Sequence, residues 1–543
     1  MGKSSLFFLL FFSLTLRAQY QFRVILTDKE MCDEATIREI ISDRAYERRL
    51  QAGVSWDITD CPITLSYLDS LRKFPMRQVA VSRWLNTLIF ESTDTLFFPA
   101  LQACSFVRQL DMVAVPSANR SPMSKWPEWE DNDQSYIGYS FYGAGYSPVF
   151  LHNGDLLHRE GFTGQGKWIA VFDNGFPNVE NIPLFQHLFT NNRIRATYDF
   201  VRDQVMVNQS GGHGTHVLSS IAAYDPGKMV GSAPDADYML LVTEDDAGET
   251  IAEEYHWAEA AEWAEAQGVD VFSTSLGYTT FDNGLLNHTY ADLTGDSTPI
   301  TKAANIAASK GVLVFNSAGN EGGRSWYYIS APADGTKVIA VGAVDSSGKI
   351  AAFSGHGPNA AGQVKPDVCA QGVANSVTDL GQQLMRLNGT SFSCPVMAGL
   401  ATCLWQAFPD SSSFFIRSVL QRYAHRYNQP DSRYGYGIPN LYNAWLQRRV
   451  ESQETVYFTG VVNNVPGLVQ QYIPLLFYQT VAREYQVRVV DMSGRQVYND
   501  SFFLRGGTFE EINIKAVSAF SRGMYLLEVI GEQRQIFRFV IGQ

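Results

Sequence analysis

Positive charge is in short supply in this chain. Lysine and arginine total 42 against 55 aspartates and glutamates, a net charge of −13. So acidic a chain lacks the footprint of a nucleic-acid binder and the polybasic patch of a membrane anchor. Long apolar runs are missing too. The run Leu6 to Leu16 is too short for a comfortable membrane span, and no later segment reads as a transmembrane helix. Internal repeats and low-complexity tracts are absent. Cysteine is sparse, at positions 32, 61, 104, 369, 394 and 403. Three lie in the N-terminal region and three much later, so at least one is free or pairs across regions. The pairing itself is not legible from sequence.

What is present suits a globular protein of more than one domain: 543 residues, 45% hydrophobic and 18% charged. Lys3, the apolar run and Arg17-Ala18-Gln19 form a secretory signal peptide, residues 1–18, cut near Ala18. An exported protein permits disulfides.

The most informative stretch is Asn388-Gly-Thr-Ser-Phe-Ser-Cys-Pro-Val-Met-Ala-Gly399. It sets Ser391 on a glycine-flanked turn before an apolar segment, Pro395 to Phe408, that reads as a helix. A serine there sits at a helix's positive end with little bulk around it. Upstream, Gly212-His-Gly-Thr-His-Val217 opens another apolar segment. Lys167 to Phe172 reads as a buried strand ending in Asp173-Asn-Gly175. Gly311 to Ser317 is a strand running into Ala318-Gly-Asn-Glu-Gly322. In an open α/β sheet, loops at the carboxyl ends of parallel strands gather at one edge. Asp173, His213, Asn320 and Ser391 are therefore candidates to meet.

Those four residue types are what nucleophilic acyl transfer needs. A serine hydroxyl needs a base. Neutral imidazole serves near pH 7, and a carboxylate orients it. A side-chain amide donates to the oxyanion. Singly, each has an ordinary explanation. Asp173-Asn-Gly175 is strong turn chemistry, Asn320 fits a turn, and Ser391 fits a helix N-cap. His213 and His216 lack the Cys or carboxylate spacing of a metal site. The joint order favours catalysis. Cys394 reads as a small buried residue rather than a second nucleophile.

In that order the chain, from about Ser135 to Ala444, resembles the subtilisin-like serine proteases, the subtilases. The resemblance implies that Asp173 orients, His213 is the base, Ser391 the nucleophile and Asn320 the oxyanion donor. Ser275-Leu276-Gly277 resembles the family's substrate-binding edge, where a substrate pairs as an added strand. Gly231-Ser-Ala-Pro234 and Lys365-Pro-Asp367 also resemble family segments. Two departures stand out. Asn174 follows the aspartate where Ser or Thr is usual, and His356 sits in Phe353-Ser-Gly-His-Gly-Pro358. Asn174 supports a rival reading, a weak or inactive surface binding or adhesion protein on the same fold. The other histidines, including His256 and His288, support no functional claim.

Residues Tyr20 to about Val115 mix strand-like runs (Gln21 to Leu26, Gln78 to Val81, Thr87 to Phe90) with one charged helical stretch, Glu34 to Arg49. The polar linker Pro116-Ser-Ala-Asn-Arg-Ser-Pro122 invites proteolysis. Residues 19–122 are therefore read as a pro-region and linker that assists folding and blocks the cleft. Residues 123–450 alternate strand and helix, which predicts a largely parallel sheet. From Gln453 to the end, short alternating strands and turns predict a β-sandwich. Val487-Arg-Val-Val-Asp with Gly494, and Gly523-Met-Tyr-Leu-Leu-Glu-Val529, resemble the C-terminal sorting domains of type IX secretion cargo. That resemblance implies a Gram-negative host of the Bacteroidetes type.

The expected fold is α/β: a subtilisin-like, largely parallel sheet with helices on both faces, a small α+β pro-region before it and a β-sandwich after it. The expected activity is a secreted or outer-membrane-surface serine endopeptidase, exported via the periplasm. Expected partners are protein or peptide substrates and the secretion machinery, with no nucleic acid and no transmembrane anchor after signal cleavage. No cofactor is required. The resemblance allows a structural calcium, but no pattern assigns its ligands.

Overall fold

The computed structural model describes residues 20–114, 141–450, 455–458, 473–479, 483–504, 508–514, 520–521, 523–531 and 534–541. The signal peptide and the 116–122 linker lie outside the described residues.

The first part is an antiparallel sheet with helices. Its strands are β1 (Tyr20–Leu26), β2 (Arg77–Ser82), β3 (Thr87–Ser92) and β4 (Val107–Ala114), in the order β2-β3-β1-β4. Phe22, Val24 and Leu26 alternate inward, as a half-buried strand requires. The single helix expected over Glu34 to Arg49 is two: α1 (Glu34–Ile40) and α2 (Asp43–Ala52). Ser42 breaks them apart. Its extended backbone and side chain, which accepts from the Ala45 N–H at 3.1 Å, make it the N-cap of α2. A Cys32–Cys61 disulfide closes the segment that carries both helices. Two further short helices, α3 (Leu65–Leu71) and α4 (Phe98–Gln102), complete this part.

After α5 (Tyr146–Phe150) and α6 (Gly154–Arg159) comes the main sheet. It uses β5 (Trp168–Asp173), β6 (Ile194–Asp199), β9 (Asp237–Val242), β10 (Val271–Thr274), β11 (Leu313–Ser317), β12 (Ile339–Val344) and β13 (Val368–Gln371). Their order is β13-β12-β11-β10-β5-β9-β6, and every pairing is parallel. β7 (Tyr224–Asp225) pairs with β8 (Met229–Val230), and β14 (Asn375–Thr378) with β15 (Leu384–Leu387). Between strands run α7 (Gln186–Thr190), α8 (His213–Ala222), α9 (Ala252–Gln267) and α10 (Pro299–Ser309), followed by α11 (Thr390–Ala407) and α12 (Ser413–Arg422). Ala170, Phe172, Met239, Leu241, Phe272 and Val314 share one core with α9 and α10. α8 lies against β5, and α11 against β10 to β13. A sheet covered this way reads as near-continuous apolar strands, as β5 and β9 do.

The first sheet and its helices dock on α9 and α10 through an apolar patch, in which Ala80, Trp84, Ile89 and Val113 share a core with α9, and through buried charge. Arg49 forks onto both Glu265 oxygens at 2.8 and 2.6 Å, and also reaches Asp60 at 2.6 Å. Lys310 joins Asp60 at 2.6 Å, and Arg48 pairs with Glu265. All five side chains are buried. Nearby, Glu262 accepts the Ser82 hydroxyl at 2.5 Å and the Arg83 and Trp84 N–H groups at 3.0 Å. Glu259 accepts the Val81 N–H at 3.2 Å.

A second compact unit holds α13 (Leu441–Val450) and two antiparallel sheets. One has β16 (Thr455–Phe458), β17 (Ile473–Gln479) and β20 (Thr508–Ile514) in the order β16-β17-β20. The other has β18 (Arg483–Asp491), β19 (Gln496–Leu504), β21 (Gly523–Ile530) and β22 (Arg534–Ile541) in the order β19-β18-β21-β22. Ile512 and Ile514 of the first sheet pack with Val487, Val489 and Leu527 of the second. The two sheets thus share one core, as a sandwich does. Among the described residues, no helix is long and apolar enough to cross a membrane.

Candidate active site

Parallel strands put their carboxyl ends on one edge of the sheet. Asp173, the last residue of β5, is fully buried there. One of its oxygens, Oδ1, accepts the Asn174 N–H at 2.9 Å and faces His213 Nδ1 at 2.8 Å. His213 is the first residue of α8. Gly214 lets that helix start come close: a Cβ there would stand 2.4 Å from the Gly175 carbonyl oxygen and 2.9 Å from Asp173 Cβ. A hydrogen-bonded carboxylate on Nδ1 leaves Nε2 as the nitrogen that handles protons.

Ser391 lies in the first turn of α11, which starts at Thr390, five residues earlier than the expected Pro395. Inside a helix proline removes one backbone hydrogen bond. Pro395 has no N–H for the carbonyl four residues back, which is that of Ser391. The Ser275 hydroxyl donates to this carbonyl instead, at 2.8 Å. Phe392, the next residue, has its ring 5.9 Å from the His213 imidazole. The two helix starts are therefore neighbours.

Asn320 follows β11. Its Oδ1 accepts both the Thr390 N–H and the Thr390 hydroxyl, each at 2.9 Å. With the oxygen so engaged, Nδ2 is the end that donates. It lies beside Gly389, 3.6 Å from where a Cβ would stand. The amide is thus oriented and adjacent to the Ser391 turn.

Ser275-Leu276-Gly277 follows β10 and is largely enclosed. Leu276 is buried, and its carbonyl accepts Asn316 Nδ2 at 3.0 Å and the Ser317 hydroxyl at 3.2 Å. The Ser275 hydroxyl is the link from this segment to Ser391.

The remaining sequence candidates have structural surroundings. His216 is buried, and burial first, then the charge of His213, pushes it down to about 4. It stays neutral near pH 7. His356 is buried and stacks on Tyr327 at 4.2 Å. His256 is buried in α9, and His288 meets Glu254 at 2.5 Å. Burial pushes the Cys394 thiol up to about 12, so it is not a ready thiolate. Cys104, Cys369, Cys394 and Cys403 form no disulfide.

Sequence reasoning missed Asp246. It sits in the acidic turn Thr243 to Gly248 after β9 and binds the backbone just ahead of His213. It also missed Thr390, whose hydroxyl and N–H fix Asn320. Among the described residues one acidic trio, Glu244, Glu249 and Glu253, brings carboxylate oxygens within 4.8 Å of one another. Glu253 holds the Asp245 and Thr250 N–H groups at 2.7 and 2.9 Å, and the Tyr278 hydroxyl donates to Glu244. These partners make the trio a brace for the loop after β9.

A seven-stranded parallel sheet, with an Asp–His pair at its carboxyl edge and a serine on the adjoining helix start, defines the subtilisin-like class of serine hydrolases. The comparisons agree. Residues 164–437 match the subtilase family. Residues 21–127 match the peptidase S8 propeptide domain of Bacteroidota, and residues 470–543 the secretion system C-terminal sorting domain. Subtilisin BL of Lederbergia lenta is 32% identical over 285 residues, spanning 52% of this chain and 92% of the relative. Serine protease AprX of Bacillus subtilis is 29% identical over 334 residues, spanning 55% of this chain and 70% of the relative. The crystal structure of the epidermin leader peptide processing serine protease from Staphylococcus aureus shares the fold, with a TM-score of 0.53 at 14% identity, over 79% of this chain and 99% of that one. The chain belongs to the subtilase family of serine proteases. It carries a propeptide, and its sorting domain points to secretion.

Proposed function

We propose that this subtilase is a serine endopeptidase acting at the cell surface or outside the cell on protein or peptide substrates, with Asp173, His213 and Ser391 as its triad. The observation that carries the reading is the 2.8 Å Asp173–His213 contact beside the helix start that bears Ser391.

In this reading His213 Nε2 takes the Ser391 Oγ proton as Oγ attacks the scissile carbonyl carbon. Asp173 steadies the imidazolium. The carbonyl oxygen becomes an oxyanion held by Asn320 Nδ2 and the Ser391 N–H, one of the helix-start donors without an intrahelical partner. His213 then gives its proton to the leaving amine. Water, deprotonated by His213, releases the acyl group. The chemistry runs on side chains and backbone donors and calls for no cofactor. The segment Ser275 to Gly277 is assigned the substrate-facing edge.

In the same reading the pro-region, residues 19–122 with its linker, shields the cleft until removed, and the C-terminal unit engages a type IX secretion route across the outer membrane. The test is labelling with a fluorophosphonate serine probe. The matured wild type takes the label and Ser391→Ala does not. A folded, matured wild type that stays unlabelled returns the chain to a binding or adhesion role. Deleting residues 453–543 tests export: periplasmic retention supports sorting.

A further inference from the structure

Asn174 stands where subtilases usually carry a small hydroxyl residue, and it is nearly fully buried. Its three polar groups all have partners. The backbone N–H goes to Asp173 Oδ1 at 2.9 Å, Oδ1 accepts the Gly214 N–H at 3.4 Å, and Nδ2 donates to Asp246 Oδ1 at 3.0 Å. The other oxygen of Asp246 accepts the Gly211 N–H at 2.6 Å. Asp246 comes from a different segment, the loop after β9. The two side chains thus grip the backbone two residues before His213 and one residue after it. The grip is tight: a Cβ on Gly211 would stand 2.1 Å from Asn174 Nδ2 and 2.9 Å from Asp246 Oδ1.

We infer that Asn174 and Asp246 form a positioning bridge that holds His213 against Asp173. The inference rests on the triad reading above and names how this chain supports that triad. A serine or threonine at 174 is too short to reach Gly214 and Asp246 together, so asparagine is the residue the bridge needs.

The test has two arms on the full chain. In the first, proton NMR follows the His213 Nδ1–H signal, hydrogen-bonded to Asp173, in a Ser391→Ala background, where no catalysis is needed. Asn174→Ser and Asp246→Asn are each expected to move that signal upfield or broaden it by faster exchange with water, and the double variant to do no more than either alone. In the second, matured enzyme is assayed against peptide. Asn174→Ser and Asp246→Asn are each expected to lower kcat about 5- to 10-fold with KM within about 2-fold, and the double variant to lose less than the product of the single losses. An unmoved Nδ1–H signal in both single variants, multiplied kcat losses, or full activity in Asn174→Ser overturns the bridge. The NMR arm reads His213 even if the chain proves not to be a protease, so the two failures are distinguishable. Should Asp246→Asn not fold, Asp246→Ser with Asn174→Ser carries both arms.

Discussion

The candidate catalytic edge and the pro-region contact are built on the same α/β body from different materials. At the edge, one or two hydrogen bonds at a time meet glycine-lined backbone: Asp173 on His213, Thr390 on Asn320, Ser275 on Ser391. At the contact, an apolar patch of Ala80, Trp84, Ile89 and Val113 is joined by a buried cluster in which Arg48, Arg49 and Lys310 meet Glu265 and Asp60. The difference separates two needs. A reaction site must stay fixed, so it uses short links to rigid elements. A contact that is to come apart does well to mix charge into its apolar area, because a wholly apolar face left bare would invite aggregation. Charged side chains are rehydrated on release, which offsets the loss of their pairing.

The comparison can be broken most forcefully at the edge. Ser391→Ala should lose the fluorophosphonate label and about 10⁴-fold or more of peptidase activity. Next is the contact. Arg49→Ala leaves Glu265 and Asp60 short of a buried partner, a loss of about 3–5 kcal/mol. After the 116–122 linker is cut, the pro-region of this variant should separate on size exclusion while that of the parent co-elutes. Co-elution of the variant would mean the cluster does not hold the contact. Asn320→Ala should lower kcat about 100- to 1000-fold, or 2.7–4 kcal/mol of barrier, with little change in KM.

Acidity sharpens the comparison by a smaller amount. Burial, the largest influence, pushes Glu259 up to about 8 against the pull of the Val81 N–H, and burial raises Glu262 as well. Values raised by docking mean that the protonated carboxyls dock better. The contact should therefore weaken as pH rises towards and through 8. Glu265 and Asp60 oppose this. Burial pushes them up, but Arg49 and Arg48 outweigh it at Glu265, and Lys310 and Arg49 at Asp60, leaving both below the usual carboxylate range. Their contribution is present at neutral pH and is lost as pH falls through their lowered values. Co-elution of the cut pro-region should peak between pH of about 5 and 7 and fall on either side. A flat profile would remove these carboxyls from the account. The smallest effect is at Cys394, where Cys394→Ala should keep activity within about 2-fold, since its thiol only packs and donates weakly to the Thr274 carbonyl.

Much of the placement of the candidate site was legible because its signals are local. Asp-Asn-Gly after an apolar run, His at a Gly-flanked start and Gly-Thr-Ser before a helix each declare a turn within a few residues. The strand order of the main sheet was not legible, since nothing in β13 names β12 as its neighbour. The start of α11 was misplaced because Pro395 reads as a first helical residue, whereas the chain uses it in the second turn and repairs the missing bond with Ser275. The split of Glu34 to Arg49 turned on Ser42 alone, a cap that charge periodicity hides. Asp246 escaped notice because an acidic turn looks like solvated surface until folding brings it to Asn174. The same holds for Glu265 on α9, whose partners lie more than 200 positions away at Arg48 and Arg49.

The Cys32–Cys61 bond encloses α1, α2 and three of the arginines that reach the catalytic body, Arg44, Arg48 and Arg49, while Arg23 and Arg83 reach it from outside the loop. A single nick between those cysteines leaves both fragments covalently joined and still in place. Clearance of the arm then has to start from cuts outside the loop, or wait for a thiol reductant.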